Sequence, residues 1–285
     1  MLGRDRIQYK TPEQVKAMRR AGLVVGRTLA VLTEAAVAGV TTGALDQLAE
    51  RTIRGAGATP SFLGYGHPPF TGTVCLSVND EIVHGLPGER ALRDGDVLSI
   101  DCGAIVDGWH GDAAVSVLVG GEAHADPGDL ELLRVTEDAM WRGIAALAVG
   151  ERLHAVGAAV EDHVRSAGGS ADGTPYGIVE EYVGHGIGTE MHQDPQVPNY
   201  RVRDKGVRVR NGLVVAIEPM LTRGSAETRV LADDWTVVSL DGSNAAHFEH
   251  TVAVLDDGLW VLTALDGGKA RLEALGVRHA PLDAS

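Results

Sequence analysis

The twenty-four residues from Asp96 to Val119, DVLSIDCGAIVDGWHGDAAVSVLV, restrict the chain more than any other stretch. Two runs rich in Val, Ile and Ala meet at Asp107-Gly108, a dipeptide that favours the two-residue loop of a β-hairpin. With that loop Val106 faces Trp109, and counting back puts Asp101 opposite Ala114 and Asp112 opposite Gly103. Opposed residues share a face, as do alternate residues along a strand, so Asp101 and Asp112 become diagonal neighbours roughly 7–8 Å apart. One acid on such a strand reads as part of a solvated face. Two acids aligned across an apolar hairpin repel each other unless a cation lies between them, and a metal site is the better reading.

The rest of the composition narrows the class. The chain has 285 residues, 44% hydrophobic and 22% charged, enough to bury a sizeable core in one large domain or two small ones. No run approaches the ~20 apolar residues of a membrane helix, and the opening MLGRDRIQYK has no apolar leader segment. Cys75 and Cys102 make no disulfide framework and fit a reducing cytoplasm. A net charge of -14 argues against broad attraction to nucleic acid or anionic membrane, so no sequence-specific nucleic-acid partner is expected. Residues 1–20 run the other way, with six cations (Arg4, Arg6, Lys10, Lys16, Arg19, Arg20) against Asp5 and Glu13. A solvated helix face explains that patch, and a dock for an RNA-rich partner is the minority reading.

Along the chain, Thr11-Pro12-Glu13 supplies a helix cap, a first-turn proline and a first-turn acid. Val15, Met18, Gly22, Val25, Leu29, Leu32 and Ala36 then mark one apolar stripe. A second helix is expected over 43–54, followed by the Gly/Pro/aromatic loop FLGYGHPPF, a strand from Val74 to Val78, and the central hairpin. After Gly120-Gly121 the pattern restarts: a long helix with Leu130, Leu133, Met140, Ile144 and Leu147 inward, then a shorter one with Leu153, Val156, Val160 and Val164. Strands follow at Leu213–Met220 and His247–Leu255. Two related halves, about 11–120 and 121–265, are thus expected to pack into one domain, with 1–10 as an extension and 266–285 as a polar, peripheral tail.

The second half carries acids where core residues are due: Glu218 in VVAIEPM and Glu249 in AHFEHTVAV. Pro219 cannot donate to a ladder, so its strand is interrupted or bulged there. His185, in VGHGIG, lies between glycines that let the backbone come close to a ligand. Four buried carboxylates and one imidazole are untenable without about two divalent cations. Oxygen-dominated ligation with one His and no thiolate favours Mn, Fe or Co, with Zn as a further candidate. Such a metal pair is machinery for hydrolysis.

VGHGIG, AIEPM and FEHTVAV, with the Asp101 and Asp112 spacing, resemble the methionine aminopeptidases of the pita-bread metallopeptidase superfamily, over roughly Thr11 to Leu262. The resemblance implies an α+β pita-bread fold, two pseudo-symmetric halves around a curved, mainly antiparallel sheet. It implies removal of the initiator Met of nascent polypeptides when the next residue is small. It assigns Asp101 to one metal and His185 to the other, Asp112 and Glu249 as bridges, and Glu218 as ligand and proton relay. His84, in EIVHGLP, would position the substrate, and His192, in MHQDPQV, would bond the scissile carbonyl. Phe62, Tyr65, Cys75, Met191 and Trp235 would line the methionine pocket. Met191 stands where many relatives have an aromatic, and Phe62 where some have a cysteine.

With no long insert between His192 and Glu218, or between Glu218 and Glu249, the chain resembles the type I, bacterial-style branch. A cytoplasmic location and a transient ribosome contact follow from the implied substrate. The proline-directed relatives, aminopeptidase P and prolidase, share the ligand set but usually carry an extra N-terminal domain. A non-catalytic pita-bread binding module would have lost ligand positions that are all filled here.

Overall fold

The computed structural model describes residues 7–170 and 173–282. In chain order its helices are α1 (Pro12–Ala35), α2 (Thr42–Gly55), α3 (Pro127–Ala145), α4 (Ala155–Ser166) and α5 (Lys269–Ala274). The strands of the first half are β1 (Thr59–Pro60), β2 (Cys75–Val78), β3 (Glu81–Val83), β4 (Val97–Val106) and β5 (Trp109–Leu118). Those of the second are β6 (Gly177–Ile178), β7 (Gly184–Gly186), β8 (Gln193–Val197), β9 (Val214–Ile217), β10 (Met220–Thr222), β11 (Thr228–Val230), β12 (Val237–Ser239), β13 (Ala245–His247), β14 (Glu249–Leu255) and β15 (Gly258–Val261).

Nine strands form the main sheet, in the order β1-β4-β5-β14-β9-β7-β8, with β2 beside β4 and β15 beside β14. Every ladder in it is antiparallel, and the β5–β14 pairing joins strands from the two halves of the chain. Two three-stranded sheets, β13-β10-β6 and β11-β12-β3, complete the strand set.

Local chemistry explains the helix and hairpin starts. Thr11 caps α1 through a reciprocal pair of bonds with Gln14, a capping box with Pro12 in the first turn. Asp107 and Gly108 both take positive φ, 51° and 80°, the turn that matches the twist of a hairpin. The hairpin register is the one counted from the sequence: Val106 opposite Trp109, Asp101 opposite Ala114, Gly103 opposite Asp112. α1 lies close against it because two glycines meet there: a Cβ on Gly111 would sit 2.7 Å from the Gly22 nitrogen.

Each helix pair buries its own cluster. Leu29, Leu32, Leu45 and Ile53 pack with Leu98 and Ile100 in the first half; Val135, Met140, Ile144, Val156 and Val160 pack with Val215 and Ile217 in the second. Truncating one such Leu or Ile to Ala costs about 2–5 kcal/mol.

Three expectations change. The inward row of α3 is Leu132, Val135, Ala139, Met140 and Ile144, while Leu130 and Leu133 are only half-buried. Two buried polar residues broke the apolar pattern: Asp129, paired with Arg223, and Thr136, bonded to the Leu132 carbonyl. The expected strand His247–Leu255 is two strands, β13 and β14, with Phe248 between them. The tail beyond Leu265 is not peripheral throughout, since Leu272 of α5 is fully buried in the second-half core and Ala280 packs near Trp260.

Among the described residues, Lys10 and Arg19 of the basic patch are turned to internal contacts. Lys10 is buried, which lowers its amine to about 8. Arg19 donates to the carbonyls of Leu262, Ala264 and Leu265, and Arg20 pairs with Asp107. Arg4 and Arg6 lie outside the described residues.

Candidate metal centre and active site

The sheet register lines up one row across four strands: Cys75 beside Asp101, Asp101 opposite Ala114, and Ala114 opposite Glu249. Asp112 lies two residues from Ala114 and so shares that face. Ala114 contributes only a methyl, which keeps the space between the acids open. Thr251 ties the rows together, accepting from the Asp112 N–H at 3.1 Å and donating to the Asp112 carbonyl at 2.8 Å.

The sheet delivers the remaining ligands from its other side. Glu218 follows the last residue of β9, where Pro219 ends the ladder, and the side chain of Asn199 donates to the Glu218 carbonyl at 3.1 Å. His185 is the middle residue of β7, and its Nδ1 bonds the Gly186 carbonyl at 3.0 Å. That bond places the proton on Nδ1 and leaves the Nε2 lone pair directed at Glu218 Oε1, 3.4 Å away.

Asp112, His185 and Glu249 bring ligand atoms within 4.8 Å of one another. One oxygen on each of Asp101, Asp112, Glu218 and Glu249 is buried without a hydrogen-bond partner. Burial pushes the Asp101 carboxyl up to about 7. Burial and mutual repulsion push Asp112, Glu218 and Glu249 well above the ordinary carboxylate range. Orphaned oxygens that repel one another are what divalent ions would satisfy, so the donor set fits a dinuclear metal site.

Beside the acids lies a cavity of about 170 Å³. Phe62, Phe70, Cys75 and Met191 form its buried apolar wall, with Trp235 packed against them. Phe70 meets Phe62 and Trp235 edge to face, at ring separations of 6.5 and 5.1 Å. Burial, then the nearby acids, raise the Cys75 thiol well above its usual range, so it lines the pocket rather than acting as a nucleophile.

Tyr65 does more than line a wall. Its Oη lies 2.6 Å from His192 Nδ1, and burial raises its phenol, which therefore stays neutral. In the tautomer where Tyr65 donates to Nδ1, the ring's own proton is on Nε2. His84 holds a positive φ of 60° at the end of β3 and packs edge to face on Tyr182 and Trp235. Burial lowers it to about 4, so it is neutral.

Every residue singled out in the sequence thus borders this one site. Phe70, Tyr182 and Met220 also line it, Asn199 holds the Glu218 carbonyl, and His247 lies beside Glu249. His247 is buried, with both ring nitrogens unpaired and Nε2 4.0 Å from Glu249 Oε2. In sequence it is one more His two places before an acid, a signal too weak to read.

A metal-binding acid cluster at the floor of an apolar pocket defines a metal-dependent hydrolase. The signature of metallopeptidase family M24 matches residues 16–256. Methionine aminopeptidase 1 of Mycobacterium tuberculosis is 47% identical, over 92% of this chain and 97% of its own. Methionine aminopeptidase 1 of Bacillus subtilis is 44% identical, over 89% of this chain and 98% of its own. The crystal structure of the methionine aminopeptidase of Thermotoga maritima superposes with a TM-score of 0.84 at 37% identity, covering 91% of this chain and 100% of that one. The chain belongs to metallopeptidase family M24 and, within it, to the type I methionine aminopeptidases, whose curved, helix-flanked antiparallel sheet it shares.

Proposed function

We propose that this metal-dependent aminopeptidase removes the initiator methionine from nascent polypeptides whose second residue is small, in the cytoplasm, with residues 11–265 acting as one catalytic unit. One observation carries the reading: four buried carboxylates, each with an unpaired oxygen, and His185 converge beside a pocket walled by aromatic rings and sulfur. Such walls suit a flexible thioether side chain.

Two divalent ions, when bound, would supply a water of lowered pKa and Lewis acidity at the scissile carbonyl. Asp101 would hold one ion, His185 and Glu218 the other, with Asp112 and Glu249 between them. Glu218, through the carboxylate oxygen not holding the ion, would take the proton of the attacking water and return it to the leaving amine. His192, its tautomer set by Tyr65, would donate from Nε2 to the oxygen on which charge develops. Neutral His84 would orient the substrate against the Tyr182 and Trp235 rings.

The test is release of free methionine from Met-Ala-Ser and Met-Leu-Ser by chelated protein resupplied with Co, Mn or Fe. Metal-dependent cleavage of the first and not the second is expected. Cleavage of Xaa-Pro peptides alone would move the assignment to the proline-directed branch, and silence on both would favour a binding module. In the same assay His192→Ala should lower kcat by about 100-fold with little change in KM. A change in KM alone would remove His192 from its assigned role.

A further inference from the structure

A second depression, of about 790 Å³, opens beside His185 and His192 and runs past Gln193, Asp194 and Gln196. It continues into a larger groove of about 1650 Å³, the two sharing Ile7, Asp194 and Gln196. Tyr9, Arg152, His154, Arg208 and Arg210 wall the larger part. Strand β8 runs beside this path, and it is the last strand of the sheet order, with β7 as its sheet neighbour.

The far part of the groove carries three guanidiniums, Arg152, Arg208 and Arg210, beside Asp194 and Asp204, while Glu190 lines the part next to the active site. Residues 201–210 hold Arg201, Arg203, Lys205, Arg208 and Arg210 against Asp204 alone, in a chain of net charge -14. Arg201 is neutralised by Asp162. Among the described residues, no carboxylate pairs with Arg152, Arg203, Lys205, Arg208 or Arg210. Two of these guanidiniums are nevertheless held in place: Arg152 donates to the Gly206 carbonyl at 3.1 Å and Arg208 to the Gly150 carbonyl at 2.7 Å. Each keeps further N–H groups for an incoming anion. Arg210 stacks over the Tyr9 ring, 5.9 Å from its centre.

Resting on the aminopeptidase reading above, we propose that this groove carries the substrate polypeptide downstream of the cleaved bond and selects acidic side chains there. Continuity with the active site favours the substrate over an unrelated polyanion. From His192 to Gln196 an extended chain covers about 13 Å in four residues, so the arginines meet roughly the fifth to eighth residues of the substrate. The groove would then set preference among long substrates without touching the chemistry of short ones.

The experiment compares kcat/KM for Met-Ala-Ser and for two ten-residue peptides that begin Met-Ala-Ser and differ in carrying two glutamates or two lysines at the sixth and seventh positions. The metal-reconstituted wild type should prefer the acidic peptide by about tenfold, the size that a few exposed charge contacts produce, and lose most of that preference in 0.5 M salt. The triple variant Arg152→Ala, Arg208→Ala, Arg210→Ala should cleave both long peptides alike and Met-Ala-Ser at the wild-type rate. Should the triple variant misfold and lose Met-Ala-Ser cleavage, Arg210→Glu alone should still lower the preference. Equal rates on the two long peptides in the wild type, or an unchanged preference in the variants, would overturn the proposal. So would variants that lose binding to a 20-nucleotide single-stranded RNA while peptide selectivity stays intact, which would make the groove a nucleic-acid dock. If the wild type fails on Met-Ala-Ser itself, the fault lies with the parent reading and the groove proposal falls with it.

Discussion

The ligand candidates stand on two kinds of strand. β4 and β5 run unbroken for ten residues each, and Asp101 and Asp112 sit where hairpin register places them. The strands carrying the other acids are broken beside them: Glu218 lies between β9 and β10, and Glu249 opens β14 after the gap at Phe248. The two breaks face each other, since His250 pairs with Ile217 on one side and His247 with Met220 on the other. A continuous strand aims its side chains along the sheet normal. A break lets the backbone re-aim, but its orientation then depends on neighbours, here Asn199 on the Glu218 carbonyl and Pro219 on the Phe248 N–H. The hairpin supports itself, whereas the broken pair is held from outside.

If the two kinds of strand feed one centre, Asp112→Asn and Glu249→Gln should be equally fatal. Each should lower methionine release by more than about 100-fold, beyond the loss of a supporting bond. In chelator, thermal melts should show each variant at least as stable as the parent, because removing one buried acid relieves repulsion among the rest. Activity surviving in only one would split the site into unequal halves.

A finer contrast comes from the supports. Asn199→Ala leaves a buried carbonyl unpaired and frees Glu218, so stability should fall by about 1–3 kcal/mol and metal affinity by about tenfold. Thr251→Val removes the bonds to the Asp112 backbone at a similar cost in stability, yet the hairpin should hold Asp112 in register with little change in affinity. Calorimetric metal titration of both variants checks the difference; equal losses would mean that the hairpin also needs its neighbours.

The smallest effect is one of pH on the metal-free protein. The folded-state carboxyls are raised, Asp101 to about 7 and the other three well above their ordinary range. The folded protein therefore binds more protons than the unfolded chain above about pH 4, and this contribution to stability falls as pH rises. His84, His185 and His247, lowered to about 4, 3 and 3, act in the opposite sense, but only up to the ordinary histidine value. Lys10, lowered to about 8, opposes again above that pH. Between about pH 6.5 and 8 the carboxyls dominate, so the melting temperature in chelator should decline across that window and flatten on metal addition. A rising or flat curve in chelator would show that the acids are not jointly protonated.

Much of this site was legible because it obeys short-range rules. The Asp107-Gly108 turn and the period of two put Asp101 and Asp112 together from sequence, and Pro219 announced the break after Glu218. Phe70 is not distinguishable inside FLGYGHPPF, where no periodicity marks which ring turns inward. The buried face of α3 departs from the apolar pattern because Asp129 and Thr136 are buried polar residues whose partners, Arg223 and the Leu132 carbonyl, are invisible in such a pattern.

The sequence by itself determined the hairpin register, the helix caps and the types of the candidate metal-binding groups, since turn chemistry, capping and ligand type are local properties. Only the tertiary structure decided that β5 pairs with β14, which brings acids 148 residues apart in the chain into one row, as Asp101 and Glu249 show. It also decided that Tyr65 Oη lies 2.6 Å from His192 Nδ1, and that Lys10 and Arg19 are spent on internal contacts while Arg208 and Arg210 line a groove. Pairing between distant segments depends on which buried surfaces fit together, and that is a property of the packed whole rather than of any one stretch.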